Sequence, residues 1–256
     1  MQMNSSQKNK LLLFIALVII TGVCFLNPIS QSQEYHNFSD DRIFFFFSNF
    51  FNVISNLPFV ISGMVGLYFT VIKNKLNTNP VYKSYIVFFI GILFTGFGSA
   101  YYHLNPNDNT LIWDRLPMTI SFMSFFSLII GECVSAKLSK QVLFPFLLIG
   151  FSSIIYWQIT ANYGHDDLRF YILIQFLPIV LIPIILLLYK PQKDLQLYLW
   201  LIILSYLIAK IGEAFDNSIY QKLQIISGHT IKHLFASFAP VLLIFSLYKR
   251  KDFTIN

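Results

Sequence analysis

Long apolar stretches separated by short polar connections constrain this chain more than any other feature. A membrane-spanning helix needs about 20 apolar residues. The sequence offers eight such stretches, at about 11–26, 50–72, 84–104, 111–132, 141–160, 170–189, 195–215 and 229–248. Only 12% of the residues are charged, against about 25% in soluble domains. The sequence therefore predicts an all-α integral membrane protein, and nucleic-acid binding is not a sensible reading of its net charge of +6.

The first apolar stretch differs from the other seven. It is short and follows Lys8 and Lys10, so it resembles the core of a signal peptide. No clear small-residue cleavage site follows, which favours an uncleaved anchor; cleavage would leave seven spans with the same orientation. We expect an anchor and outer linker over 1–34, a seven-helix membrane domain over 35–251 and a short tail over 252–256.

Basic residues predict the orientation, because cytoplasmic loops are enriched in lysine and arginine. Twelve of the 18 basic residues fall on alternate connections. They are Lys8, Lys10, Lys73, Lys75, Lys83, Lys137, Lys140, Lys190, Lys193, Lys249, Arg250 and Lys251. Both termini are therefore predicted to be cytoplasmic.

In this topology, ionisable and polar residues from three spans collect at one depth, just inside the outer boundary. Ser99 and His103 are four apart near the end of the third span, and Asp114 lies near the start of the fourth. His229 and His233 begin the last span, again four apart and on one helical face. A single histidine near a helix end is most often an interfacial residue. The prediction of a functional site therefore rests on the occurrence of all these residues together at one depth.

Three histidines match the ligand number of a catalytic zinc site, which leaves a fourth position for water. Zinc makes a water nucleophile available near neutral pH. In this hypothesis His103, His229 and His233 bind zinc. Asp114 accepts and returns a proton, and Ser99 donates a hydrogen bond to the developing oxyanion.

Other charged residues lie in or near the last two spans. Lys210 and Glu213 are three apart and can pair, with Asp216 one turn further. We favour a structural ion-pair network there over direct binding of substrate headgroups, and both remain open. Lys232 is expected to extend toward outer headgroups.

These motifs together resemble the alkaline ceramidases. The pattern is Ser99-Ala-Tyr-Tyr-His103, then Asp114 in "WDRLPM", and then His229-Thr-Ile-Lys-His233. The stretch "NVISNLPF" is similar to the family's first core span, and "DLRFYILIQF" and "YLIAKIGEAFD" look like its bacterial branch. The resemblance covers roughly residues 35–250 and extends to the seven-helix superfamily that includes the adiponectin and progestin receptors.

The resemblance implies a zinc-dependent amidase that cleaves ceramide-like N-acyl lipids to a long-chain base and a fatty acid. Its partner is then a lipid substrate, with no protein partner evident. The eukaryotic members also have a calcium site, but Asn49 stands here in place of one of its glutamates, so calcium is not expected. A zinc-containing receptor or sensor and a transporter are the alternatives. The expected location is a bacterial inner membrane, with the active site near the periplasmic face.

Overall fold

The computed structural model describes residues 3–73, 76, 79–191 and 193–249. Within these ranges the chain is helical, with no β-strand. Ten α-helices follow one another: α1 Ser5–Phe25, α2 Phe50–Ile54, α3 Leu57–Leu67, α4 Tyr82–Leu104, α5 Asp108–Cys133, α6 Ala136–Asn162, α7 Arg169–Tyr189, α8 Lys193–Ala214, α9 Asp216–Leu223 and α10 Gly228–Lys249. The expected tail over 252–256 lies outside the described residues.

Eight helical segments in the described ranges are long and apolar enough to cross a membrane. Seven are single helices, and α2, α3 and a π-helical turn at Tyr68–Ile72 together form the eighth. The chain is thus an integral membrane helical bundle, as predicted from its apolar stretches. The orientation of its termini remains a prediction.

The second span is confirmed over Phe50–Ile72, as predicted from its apolar stretch, but its helix is interrupted. The helix breaks at Ser55 and Asn56, and Pro58 is the second residue of the helix that follows. Proline has no backbone N–H to donate to the carbonyl four residues earlier, here that of Ile54, and its ring clashes with that carbonyl, so a break is physically reasonable at this position. The break leaves the side chain of Ser55 facing the interior, where it is only 5% exposed.

Helix α1 lies on the outside of the bundle, against α7. None of its residues is buried, whereas the Lys8 ammonium donates to the carbonyl of Leu188 at 2.6 Å. At the other end of α1, the Arg169 guanidinium donates to the carbonyl of Leu26. These contacts pair the start of α1 with the end of α7, so the two helices are antiparallel.

The linker after α1 crosses the same end of the bundle that carries the histidines. It is fixed to the α6–α7 connection, because the Leu168 N–H donates to the Ile29 carbonyl at 2.8 Å and the Gln31 N–H to Asp166 at 2.6 Å. Next to them, hydrogen bonds from Arg169 lower the pKa of Asp167 to about 2. The linker is therefore a fixed part of this end of the fold.

Candidate metal centre

The three predicted histidines meet at the end of the bundle where α4 ends and α10 begins. His103 comes from the last turn of α4, and His229 and His233 from the first two turns of α10. All three are buried. Each offers one ring nitrogen, and these three nitrogens lie within 4.8 Å of one another. The remaining two histidines are elsewhere: His36 bonds Tyr102 and Asp108, and His165 is exposed.

The unsatisfied ring nitrogens test whether these residues suit a metal ion. His103 Nδ1 and His229 Nε2 are buried and have no hydrogen-bond partner among the described residues. A buried polar atom without a partner costs free energy, and a cation that accepts both lone pairs removes that cost. Neutral imidazole nitrogens are zinc ligands, so the donor set fits zinc.

His233 completes the set through a hydrogen bond that the sequence analysis missed. The Ser55 hydroxyl donates to the carbonyl of Asn52 at 3.1 Å and lies 2.7 Å from His233 Nδ1. Because the Ser55 hydroxyl donates its own proton to the Asn52 carbonyl, it can only accept from His233. We therefore assign a proton to Nδ1 of His233. Nε2 of His233 is then left with its lone pair for a metal, which is the usual orientation of a ligand histidine.

Backbone contacts hold the helix ends that carry the histidines. The Asn49 side chain donates to the carbonyl of His103 at 2.9 Å. The Asp216 carboxylate accepts from the N–H of His229 at 2.6 Å and from that of Ser39 at 3.2 Å. Asp216 therefore fixes the start of α10, and the prediction that it joins the Lys210–Glu213 network is wrong.

The linker covers the histidines from outside. The Phe38 ring centroid lies 4.5 Å from that of His103 and 4.7 Å from that of His229. An aromatic ring in this position excludes water from the outer side of the cluster. No motif marked Phe38 in the sequence, because its role depends on the path of an irregular segment.

Ser99 and Asp114 lie beside the cluster and line the same cavity. Both are buried, at 3% and 6% exposure, and Ser99 is within hydrogen-bonding reach of the Asp114 carboxylate. Gly98 permits this arrangement, since a Cβ there would lie 1.9 Å from the carbonyl oxygen of Trp113. Helices α4 and α5 can approach closely enough to pair the two side chains only because residue 98 has no side chain.

A cavity of about 300 Å³ extends from His233 into the bundle. Its lining includes ionisable side chains such as Asp114 and Glu213, and apolar side chains such as Phe88, Ile182 and Ile202. Residues of α7 and α8 form part of its wall, and one of them, Leu207, is 47% exposed, so the cavity is open toward lipid at α8. An apolar cavity with lateral access can receive a lipid chain directly from the membrane.

A cluster of three ion-paired side chains, Lys210, Glu213 and Lys232, lines the cavity. Glu213 on α8 accepts from both Lys210 and Lys232. Lys232 is thus directed inward, with its side chain 16% exposed, and the expectation that it extends to outer headgroups is wrong. The cause is the tight crossing of α8 and α10, where a Cβ on Gly228 would lie 2.2 Å from the carbonyl oxygen of Gly212.

The sequence analysis also missed Arg115. It follows Asp114 directly and is only 5% exposed. Two consecutive ionisable residues inside a membrane span are costly, and that signal could have identified Arg115 together with Asp114. Asp40, an acidic residue upstream of Asn49, is held by Arg42, whose guanidinium donates to both carboxylate oxygens at 2.7 and 2.6 Å.

These features define a helical membrane protein with a buried three-histidine site at the head of a laterally open apolar cavity. The chain belongs to the ceramidase family, whose family model matches residues 42–248. The match begins after α1 and covers the whole of the remaining bundle. A search of curated proteins finds no match to the chain. The family resemblance predicted from the motifs is confirmed, and the family supports an amide hydrolase.

Proposed function

We propose that this protein is an intramembrane zinc-dependent amide hydrolase that cleaves ceramide-like N-acyl lipids to a long-chain base and a fatty acid. The observation that carries the proposal is the pair of buried, partnerless nitrogens, His103 Nδ1 and His229 Nε2, beside a third histidine oriented by Ser55. A site with this donor set at the head of an apolar cavity suits hydrolysis of a lipid amide. We do not expect a calcium requirement.

Bound zinc would supply a nucleophilic water and polarise the amide carbonyl. The Asp114 carboxylate accepts the proton of the attacking water and returns it to the amide nitrogen, so the amine can leave. The Ser99 hydroxyl donates a hydrogen bond to the charge that develops on the carbonyl oxygen. The Phe38 ring and the linker exclude bulk water, which strengthens these electrostatic contributions.

The alternatives predict a different distribution of polar groups or a different outcome of metal binding. A transporter needs ionisable residues along a path across the membrane, whereas Lys210, Glu213 and Lys232 form one ion-paired cluster that lines the same cavity as His233. A zinc-containing receptor or sensor would bind metal without turning over a lipid. We further propose a bacterial inner membrane, with the active site near the periplasmic face.

Metal content and hydrolysis measured on the same samples test the proposal. We expect about one zinc per chain in detergent-purified protein, and fatty acid release from a panel of fluorescent N-acyl lipids. His103→Ala and His229→Ala should each lose both. His165→Ala, which changes an exposed histidine, should keep both.

Two results would contradict the proposal. Wild-type protein that holds no zinc, although metal is supplied during purification, would refute the metal centre. Zinc bound without hydrolysis of any N-acyl lipid in the panel would favour the receptor alternative.

A further inference from the structure

The environment of Arg115 is the strongest feature that amide hydrolysis leaves unexplained. Its guanidinium carbon lies 4.7 Å from the ring centroids of both Trp157 and Tyr171 and 5.6 Å from that of Tyr35. Nη2 donates to the Gln31 side chain at 2.6 Å. Nη1 is buried and has no hydrogen-bond partner in the part of the chain that the structure describes. The Arg115 guanidinium is therefore held in place by aromatic rings and Gln31, and its Nη1 still has N–H donors without an acceptor.

Arg115 also has no carboxylate partner in the described part of the chain. No described acidic group lies within ion-pair distance of it; the described pairs engage His36, Arg42, Arg169, Lys210 and Lys232. A buried guanidinium is normally paired, because its desolvation is otherwise costly. Since Arg115 lines the cavity, a ligand in the cavity can supply the missing anion.

The charges around Arg115 also leave a positive excess. Three basic and two acidic side chains line the cavity: Arg115, Lys210, Lys232, Asp114 and Glu213. Their net charge is +1 when all are ionised, and the two lysines share a single carboxylate. A divalent metal on the histidines would increase the excess.

Tyr35 connects Arg115 with the lysine pair. Its ring lies against the guanidinium, and its hydroxyl donates to Glu213 at 3.4 Å. Burial raises the pKa of Tyr35, so the phenol stays neutral and keeps its proton. Tyr35 of the linker thereby connects Arg115 with the ion-paired cluster of Lys210, Glu213 and Lys232.

We propose that Arg115, with Lys210 and Lys232, binds an anionic headgroup on the amine half of the substrate. This inference rests on the proposed function and narrows its substrate class to N-acyl amino lipids that carry a phosphate or sulfonate group. The oxyanion accepts the free Nη1 donors and offsets the positive excess, while the hydrocarbon chains occupy the apolar part of the cavity. A neutral ceramide leaves the guanidinium without its anion.

Binding of two lipids with identical chains tests the proposal without depending on hydrolysis. One lipid is a neutral N-acyl amino alcohol and the other is its phosphate ester, each competing with a bound fluorescent N-acyl lipid. Hydrogen bonds to charged groups contribute enough for about a 10- to 100-fold preference. We therefore expect the wild type to bind the phosphate ester at least tenfold more tightly, and His103→Ala to keep that preference.

Arg115→Gln should abolish the preference, and Lys210→Gln should reduce it if the Arg115 variant does not fold. Lys222→Gln, which removes an exposed basic residue on α9, should retain the wild-type ratio. Equal affinity for the two lipids in wild type, or an unchanged ratio in folded Arg115→Gln, would overturn the proposal. If inorganic phosphate displaces the probe as effectively as the phosphate ester does, the subsite binds a free anion and not a lipid headgroup.

Because this readout is binding, its failure is distinct from failure of the hydrolase proposal. A protein that cleaves lipid amides but binds both lipids equally would retain the proposed function and lose the headgroup assignment. A protein that prefers the anionic lipid but releases no fatty acid would retain the subsite and lose the hydrolase.

Discussion

At the residue scale, the site depends on a few side chains that orient the histidines. Ser55 is the clearest of these, because its hydroxyl lies 2.7 Å from His233 Nδ1. Its hydroxyl holds the tautomer that leaves Nε2 available. Such supporting hydrogen bonds typically change metal affinity by about 10- to 100-fold.

Replacement of Ser55 should weaken zinc binding without preventing folding. We expect Ser55→Ala to lower zinc affinity by about 10- to 100-fold, measured by competition with a chelator of known affinity. Ser55→Thr keeps the hydroxyl and should restore part of the loss. Ser62→Ala is the matched control, since the Ser62 hydroxyl bonds only the Phe59 carbonyl of its own helix. Equal zinc affinity in the two alanine variants would contradict the assigned role.

At the element scale, close helix crossings decide which polar side chains meet. Gly98 brings α4 against α5 and so places Ser99 near Asp114, whereas Gly212 and Gly228 bring α8 against α10 and place Glu213 near Lys232. In a membrane, helices associate through such close packing rather than through a hydrophobic driving force. A small change at a crossing should therefore affect both stability and the site.

Gly98→Ala should separate α4 from α5. The added Cβ would lie 1.9 Å from the Trp113 carbonyl oxygen, and overpacking of this kind costs about 1–3 kcal/mol. We expect the melting temperature in detergent to fall by about 5–10 °C, with a loss of fatty acid release. Gly22→Ala on α1 meets no atom within 4 Å and should leave both unchanged. A normal melting temperature for Gly98→Ala would show that the crossing tolerates a methyl group.

At the scale of the whole molecule, the linker after α1 and the histidines occupy one end of the bundle. The predicted orientation puts that end outside the cytoplasm, because the basic connections lie at the other end. The location of the site relative to the membrane thus rests on charge distribution, whereas its geometry rests on the fold.

Cysteine labelling in spheroplasts tests the orientation. Ser32→Cys and Lys137→Cys introduce a thiol at exposed positions on the outer linker and on an inner connection, in a chain whose Cys24 and Cys133 are replaced by alanine. We expect a membrane-impermeant maleimide to label Ser32→Cys in intact spheroplasts, and Lys137→Cys only after lysis. The reverse pattern would invert the proposed topology.

Sequence alone was sufficient for the spans, the family and the three histidines. Helix length and apolar character are local properties of the chain, and residues four apart on a helix share a face in any fold. Hydropathy accordingly predicted all eight spans, and the motifs predicted that His103, His229 and His233 converge. The interruption of the second span at Ser55 and Asn56 was not predicted, because the bounds of a span are visible in hydropathy but a break inside it is not.

Tertiary structure alone decided what surrounds the histidines. The hydrogen bond from His233 to Ser55, the Phe38 cover and the aromatic surroundings of Arg115 each join segments distant in sequence. The inward direction of Lys232 likewise depends on how closely α8 approaches α10. Periodicity assigns a residue to a helical face, but only packing determines which group that face meets.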